Sequence, residues 1–267
     1  MLTYLRPASV AEAVEILHDH SDVRVLAGGT DLLVAFRNAP PCGTVLDIKG
    51  IPALNALEMC ESGLSVGAAV TLNRLIDAGA EDDCYQLLKD AALQLGNHLL
   101  RNRATLAGNL CTASPVSDMA GACLVLGGFV EAVSREGARR IPLGDFFTGV
   151  KTNALRPNEL ATKIVLARRE GRGLYLKRKR VRGHDLAQVG VTAFRSGDGV
   201  LDIALASVAP TPVLFPGVVK AGEAPELQKI LKTILGGIAP ISDVRSSKEY
   251  RLGMAEAFIG QAVDRLY

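Results

Sequence analysis

The sequence predicts an α+β fold rather than a doubly wound α/β sheet. Three observations carry this. Near the N-terminus, strand and helix patterns alternate around a glycine-rich turn, as in a small βαβ unit, but strict βα order is not kept afterwards. The middle of the chain mixes helical segments rich in small residues with isolated strands. The last third holds hairpin-spaced strands followed by two helical patterns.

Element by element, Ser9 and Glu12 have capping-box spacing, and Val10, Ala13, Val14 and Leu17 follow at helical periodicity. Val23 to Leu26 reads as a short strand ending in Ala27-Gly28-Gly29-Thr30-Asp31. Asp31 to Arg37 reads as a short helix stopped by Asn38-Ala39-Pro40-Pro41, and Thr44 to Ile48 as the next strand. Leu64 to Gly67 is a further strand. Tyr85 to Leu99 predicts one helix with Leu88, Ala91, Ala92, Leu95 and Leu99 on one face. Asp118 to Leu126 predicts a helix of small and apolar residues, broken by Gly127-Gly128 before a strand over Phe129 to Ser134. Pro142 to Phe147 suggests a turn or short helical segment. Strands follow at Tyr175, Val189 to Arg195 and Leu201 to Val208, with Ser196-Gly197-Asp198-Gly199 as a hairpin turn. Pro225 to Leu235 and Ser246 to Val263 are helical, the second opened by the capping-box pair Ser246 and Glu249. The change of character around Leu155 to Gly173 places a domain boundary near 167–173.

The chain has 267 residues, enough for one large domain or two small ones. Hydrophobic residues make up 48% and charged ones 22%, which fits a soluble globular protein. Aromatics are only 4%, with no tryptophan, which argues against single-strand nucleic-acid binding by stacking. A net charge of +2 is too mild for a nucleic-acid footprint. No apolar run approaches the roughly twenty residues that span a bilayer. Met1-Leu2-Thr3-Tyr4-Leu5-Arg6-Pro7 lacks the plan of a signal peptide, which predicts a cytoplasmic protein. Cys42, Cys60, Cys84, Cys111 and Cys123 are odd in number and scattered without a CxxC pair. Neither a disulfide framework nor a metal or iron–sulfur site held by this chain alone is expected. His18, His20, His98 and His184 have no metal-ligand spacing and read as structural.

Two small-residue stretches carry the chemistry. In Ala27-Gly28-Gly29-Thr30-Asp31, glycine allows backbone amides to approach an anion with no Cβ in the way, and the helix start adds partial positive charge. Asp31, being acidic, is expected to cap the helix or bind a hydroxyl. The second stretch, Thr105 to Asp118, combines small residues with the hydroxyls of Thr105, Thr112, Ser114 and Ser117 and the carboxylate of Asp118. Taken alone, a Gly-Gly-Thr turn is more often an ordinary tight turn. Together the two suggest a clamp on a large phosphorylated cofactor. No GxxxxGK[ST] and no GxGxxG occurs, so neither a P-loop nor a Rossmann site is supported.

These motifs resemble the FAD-binding medium subunit of the molybdenum hydroxylases, the xanthine dehydrogenase and carbon monoxide dehydrogenase group. The family's AGGTDLL stands here as Ala27-Gly28-Gly29-Thr30-Asp31-Leu32-Leu33. Its RN-x-AT-x-GGN stands as Arg101-Asn102-Arg103-Ala104-Thr105-Leu106-Ala107-Gly108-Asn109, and its ASP-x-SD as Ala113-Ser114-Pro115-Val116-Ser117-Asp118. Further matches are Tyr4 and Pro7, Ile141 to Phe147, and Ser242 to Arg251, so the likeness runs nearly end to end. One departure is Ala107, where the family usually has glycine.

The resemblance implies a two-part FAD-binding domain of the molybdopterin-dehydrogenase/vanillyl-alcohol-oxidase type over 1–168, with parts at about 1–55 and 56–168. A small C-terminal α+β domain over 169–267 would follow. It implies non-covalent FAD. Arg24, Val25, Leu26, Ala27, Gly28, Gly29, Thr30, Asp31 and Leu32 would wrap the pyrophosphate. Thr105, Ala107, Gly108, Asn109, Cys111, Thr112, Ser117 and Asp118 would line the diphosphate and ribityl region. Leu160 to Ile164 corresponds to a segment near the flavin or adenine end, and Lys177 to a lysine that contacts the cofactor. Lys177 lies in a basic run with Arg168, Arg169, Arg172, Arg178, Lys179, Arg180 and Arg182. That run reads as a solvated face, a cofactor contact or a docking site for an acidic partner. Strand alternation puts Lys177 and Lys179 on one face, Arg178 and Arg180 on the other.

The expected function is that of an electron-transfer subunit. By resemblance, a large partner subunit carries the molybdopterin cofactor and a small one carries 2Fe-2S clusters. FAD on this chain passes electrons to NAD+ or another acceptor, with xanthine-like substrates expected first. No catalytic acid or base is expected here. The alternatives are a self-sufficient FAD-dependent oxidase or reductase, and a degenerate cofactor-free scaffold supported only by Ala107.

Overall fold

The computed structural model describes residues 2–38, 43–60, 63–78 and 83–267. It is an α+β protein. The predicted βαβ unit is present: β1 (Leu2–Leu5), α1 (Val10–Asp19), β2 (Val23–Leu26), α2 (Leu32–Asn38) and β3 (Gly43–Asp47). Its strands form a parallel sheet in the order β1-β3-β2. The Ser9 hydroxyl caps α1 by accepting from the Glu12 amide at 3.1 Å, while the Glu12 carboxylate accepts from Ala8 rather than Ser9. Ala13, Val14 and Leu17 are buried, as their spacing predicts. Ala39, Pro40, Pro41 and Cys42 lie outside the described residues.

The second part is built on a five-stranded antiparallel sheet. Its strands are β4 (Leu57–Cys60), β5 (Gly63–Gly67), β6 (Gly128–Ser134), β7 (Gly137–Pro142) and β10 (Leu160–Ala167), in the order β4-β5-β10-β6-β7. Between them come α3 (Leu72–Ala78), α4 (Gln86–Gln94), α5 (His98–Arg101), α6 (Leu106–Thr112) and α7 (Asp118–Leu126). The short pieces α8 (Leu143–Phe146), β8 (Phe147–Gly149) and β9 (Thr152–Asn153) follow β7. The central strand β10 escaped the sequence reading because Leu-Ala-Thr-Lys-Ile-Val-Leu-Ala shows no alternation, being buried on both faces.

Two local expectations need correction. The single helix over Tyr85 to Leu99 is two helices. Gly96 at φ +56° turns the chain after α4, and the Asn97 side chain starts α5 by accepting from the Leu100 amide at 2.8 Å. Leu99 therefore faces out, 76% exposed. The last helix is capped by Ser247, which accepts from Tyr250, not by Ser246.

The last part is an antiparallel sheet in the order β11-β12-β13-β14, made of β11 (Gly171–Arg178), β12 (Val189–Ser196), β13 (Leu201–Ala206) and β14 (Val213–Val219). The hairpin turn at 196–199 is present, with the Ser196 amide donating to the Val200 carbonyl. Alternation divides β12 between two layers. Val189, Val191 and Ala193 pack with α9 (Leu227–Gly236) and α10 (Lys248–Leu266), whereas Phe194 joins the main core. Helix α7 lies between this sheet and the main core, and all nine of its residues are buried. A Cβ on its Gly121 would stand 2.3 Å from the Thr192 hydroxyl, so glycine sets the closeness of that layer.

Candidate functional site

The two small-residue motifs meet in space. A Cβ on Gly28 would lie 2.1 Å from the Arg103 carbonyl oxygen and 2.9 Å from the Ala104 Cα. Glycine is required there because backbone occupies the space of a side chain. Gly29 has φ +76° and turns β2 into α2, whose first bonds run from Leu33 N–H to the Gly29 carbonyl and from Ala35 N–H to the Asp31 carbonyl. The amides at the start of such a helix have no acceptor within it. Leu26 is buried, Ala27 to Thr30 and Leu32 are half-buried, and Arg24, Val25 and Asp31 are exposed. Arg24 pairs with Asp22 at 3.2 Å.

The residues on either side of Arg103 are held by a polar network that the sequence did not reveal. Buried Arg101 donates through Nε to Asn73 Oδ1 at 3.2 Å and through its guanidinium to the Leu93 and Leu95 carbonyls. Asn73 donates in turn to the His98 carbonyl and to Asn102 Oδ1. The Leu72 amide bonds to the Ala104 carbonyl at 2.8 Å. Arg101, Asn102 and His98 thus support the backbone of the motif. Asn73 lies on α3, far from the motif in sequence, and no spacing signal connects them.

The stretch 106–112 is a helix rather than a loop. Thr105 caps α6 by accepting from the Gly108 amide at 2.9 Å, and Thr112 donates back to the Gly108 carbonyl at 2.8 Å. Ser117 caps α7 by accepting from Ala120, and its hydroxyl donates to Asn109 Oδ1 at 2.5 Å, tying the two helices together. Between them Ala113 takes φ +46°. This link is pinned from three sides: Lys151 N–H to the Ala113 carbonyl, Ser207 N–H to the Pro115 carbonyl, and Asn153 Nδ2 to the Cys111 carbonyl. Ala107, the departure from the family pattern, sits inside α6 with its methyl in the main core. The Cys111 thiol is enclosed although the residue as a whole is half-buried, and burial pushes it up to about 12, so it stays protonated.

Asp118 opens α7 and is buried. Its carboxylate accepts from Tyr175 Oη at 2.6 Å and from Lys177 Nζ at 2.8 Å, both on β11. Lys177 also donates to the Gln94 carbonyl at 3.1 Å, and its side chain is only 2% exposed. Burial raises the Asp118 pKa, and the Lys177 charge and these hydrogen bonds oppose the rise. Lys179, just past the end of β11, adds to that field. Arg178, on the other face, bonds to Tyr250 Oη, and Arg180 pairs with Asp185. Strand β11 ends at Arg178, so alternation divides only Lys177 from Arg178 while Lys179 and Arg180 lie beyond the strand, and Lys177 is no part of a solvated face.

The side chains of Leu160 and Ile164, on β10, lie in the core, 2% and 0% exposed. Among the described residues, no group of histidine, cysteine and acidic side chains could hold a metal ion.

The residues present fit a bound dinucleotide. The first amides of α2 have no acceptor within that helix, and Gly108, Asn109 and Thr112 are half-buried on the helix that Arg103 leads into. Residues 1–167 match the family described as the FAD binding domain in molybdopterin dehydrogenase. The xanthine dehydrogenase FAD-binding subunit of Escherichia coli O157:H7 is 27% identical, over 98% of this chain and 94% of the relative. The carbon monoxide dehydrogenase medium chain of Afipia carboxidovorans is 31% identical, over 98% of this chain and 95% of the relative. The structure is also similar to a chain of reconstituted CO dehydrogenase from Oligotropha carboxidovorans, with a TM-score of 0.92, 29% identity, and coverage of 100% of this chain and 97% of that one.

Proposed function

The chain belongs to the family of FAD-binding domains of molybdopterin dehydrogenases, and from that premise we propose that it is the flavoprotein subunit of a molybdenum hydroxylase complex. It receives electrons from 2Fe-2S clusters on a small partner subunit and passes them through FAD to a soluble acceptor such as NAD+. Oxidation of the organic substrate takes place at the molybdopterin cofactor of a large partner subunit. FAD supplies the redox chemistry, and the chain's own residues bind and orient it.

The observation that carries this reading is the backbone contact of Gly28 with Arg103, which joins the two motifs into one surface. In the proposal, the amides over Ala27 to Leu32 take the pyrophosphate, with Arg24, Val25 and Leu26 supporting the turn from β2. The segment Thr105, Ala107, Gly108, Asn109, Cys111, Thr112 and Ser117 lines the diphosphate and ribityl region. Asp118 and Lys177 close the site from the side of β11. Residues 1–168 form the cofactor unit and 169–267 a C-terminal unit that supplies Lys177. The cofactor-free scaffold reading loses its support, since the Ala107 methyl is accommodated by the core.

The relatives are named for xanthine and for carbon monoxide at comparable identity. A xanthine-like substrate is our first choice, and the discriminating residues belong to the large subunit. No helix among the described residues is long and apolar enough to cross a membrane, and a cytoplasmic complex is part of the proposal. Titration of the purified chain with FAD tests the reading. Quenching of flavin fluorescence to a saturable endpoint is expected; a chain that takes up no FAD would sink it.

A further inference from the structure

Tyr175 belongs to none of the motifs that carry the cofactor reading, yet its hydroxyl lies 2.6 Å from Asp118 Oδ1. Two residues along β11, Lys177 reaches Oδ2 of the same carboxylate at 2.8 Å. Residues two apart on a strand share a face. One carboxylate at the start of α7 thus takes a neutral donor and a cation from a single strand, one on each oxygen. Burial and the neighbouring Asp118 charge push the Tyr175 phenol well above its ordinary range, so it remains a donor. Strand β12 leaves room for it: a Cβ on Gly190 would stand 3.3 Å from the Tyr175 hydroxyl.

A phenylalanine fills the same space but leaves Oδ1 of the buried carboxylate without its donor, so the hydroxyl contributes to stability. What it adds beyond that is direction. With Oδ1 bonded, the carboxylate cannot turn about its own axis, and Oδ2 stays toward Lys177. We propose that Tyr175 is a positioning residue of the FAD site, holding Asp118 in the orientation that fixes the Lys177 ammonium beside the first turn of α7. The inference rests on the FAD reading above. The groups facing Asp118 are Tyr175 and Lys177 from β11 and Lys179 just past its end, with the Gln94 carbonyl from α4 bonded to Lys177.

The test compares the full chain with Tyr175→Phe and Gly190→Ala, measuring the FAD dissociation constant across pH and the urea midpoint of each. Tyr175→Phe is expected to weaken FAD binding about tenfold, the effect of one hydrogen bond to a charged group, and to lower the urea midpoint, since a buried carboxylate oxygen loses its donor. The pH below which affinity falls moves upward, because the ionised carboxylate has lost a donor. Gly190→Ala, which displaces the hydroxyl without removing it, falls between. Equal FAD affinity and pH profile in Tyr175→Phe and the parent overturns the positioning role and leaves the FAD reading standing. Weakened binding that follows a fall in urea midpoint, with the pH profile unmoved, overturns it as merely structural. A parent chain that binds no FAD overturns both.

Discussion

Gly28 and Arg103 touch backbone to backbone, so closely that a single added methyl on Gly28 would overlap the Arg103 carbonyl. That contact brings the turn after β2 against the segment leading into α6. Gly28→Ala is expected to cost about 1–3 kcal/mol by overpacking and to weaken FAD binding more than tenfold. Gly253→Ala is the matched control. Open space surrounds that position in α10, and the change is expected to stabilise by about 0.5–1 kcal/mol. Urea unfolding with FAD titration checks both, and equal behaviour of the two variants would refute the contact.

Removing Lys177 leaves a buried carboxylate without its cation. Lys177→Met is expected to destabilise the chain by about 3–5 kcal/mol at neutral pH, and adding Asp118→Asn should restore part of the loss. The pH dependence has a definite sign. Asp118 has a folded pKa above its unfolded value, so the penalty for its charge is absent at low pH and grows as pH rises through the folded pKa. The difference between Lys177→Met and the parent should therefore shrink on acidification. A constant difference across pH would contradict the pairing.

Thr105 and Ser117 are helix caps before they are anything else. Thr105→Ala and Ser117→Ala are each expected to cost about 1–2 kcal/mol. Thr105→Ser keeps the oxygen that accepts from Gly108 and should recover most of the stability. Ser117→Ala also frees Asn109 Oδ1, so its FAD affinity should fall further than its stability alone explains. Thermal unfolding with and without FAD separates the two effects.

Glu159 gives the protein an acid-sensitive point away from the site. The Arg139 guanidinium holds its carboxyl below the ordinary range through two hydrogen bonds, and the Arg156 amide helps. With the folded pKa depressed, this stabilisation is present above the unfolded value near 4.5 and is lost as pH falls through the lower folded one. Arg139→Gln should flatten that part of the stability profile. An unchanged acid limb in urea unfolding between about pH 3 and 6 would count against it.

The enclosed thiol of Cys111, at about 12, should resist alkylation at pH 8 in the native chain and react once the chain is unfolded. Rapid native labelling, read by mass spectrometry of the peptide, would show that α6 opens.

The sequence by itself determined the features whose physics is short-range. The Ser9 cap and the Ala13, Val14 and Leu17 stripe specify α1; Asp118 to Leu126 specifies a helix buried all round; Ser196 to Gly199 specifies a hairpin. The two small-residue motifs were legible as well, with the family they resemble. Only the tertiary structure decided the rest. Gly96 could be recognised as the break between α4 and α5 only once its φ was positive. Strand β10 could not be told from a buried helix by pattern alone. The support of Arg101 by Asn73, the core burial of Leu160 and Ile164, and the capture of Asp118 by Tyr175 and Lys177 all join segments distant in the chain. Caps and periodicities act over one or two turns, so they can be read locally. Which backbone meets Gly28, and which carboxylate meets Lys177, depends on how the sheets and α7 stack, and no local pattern encodes that.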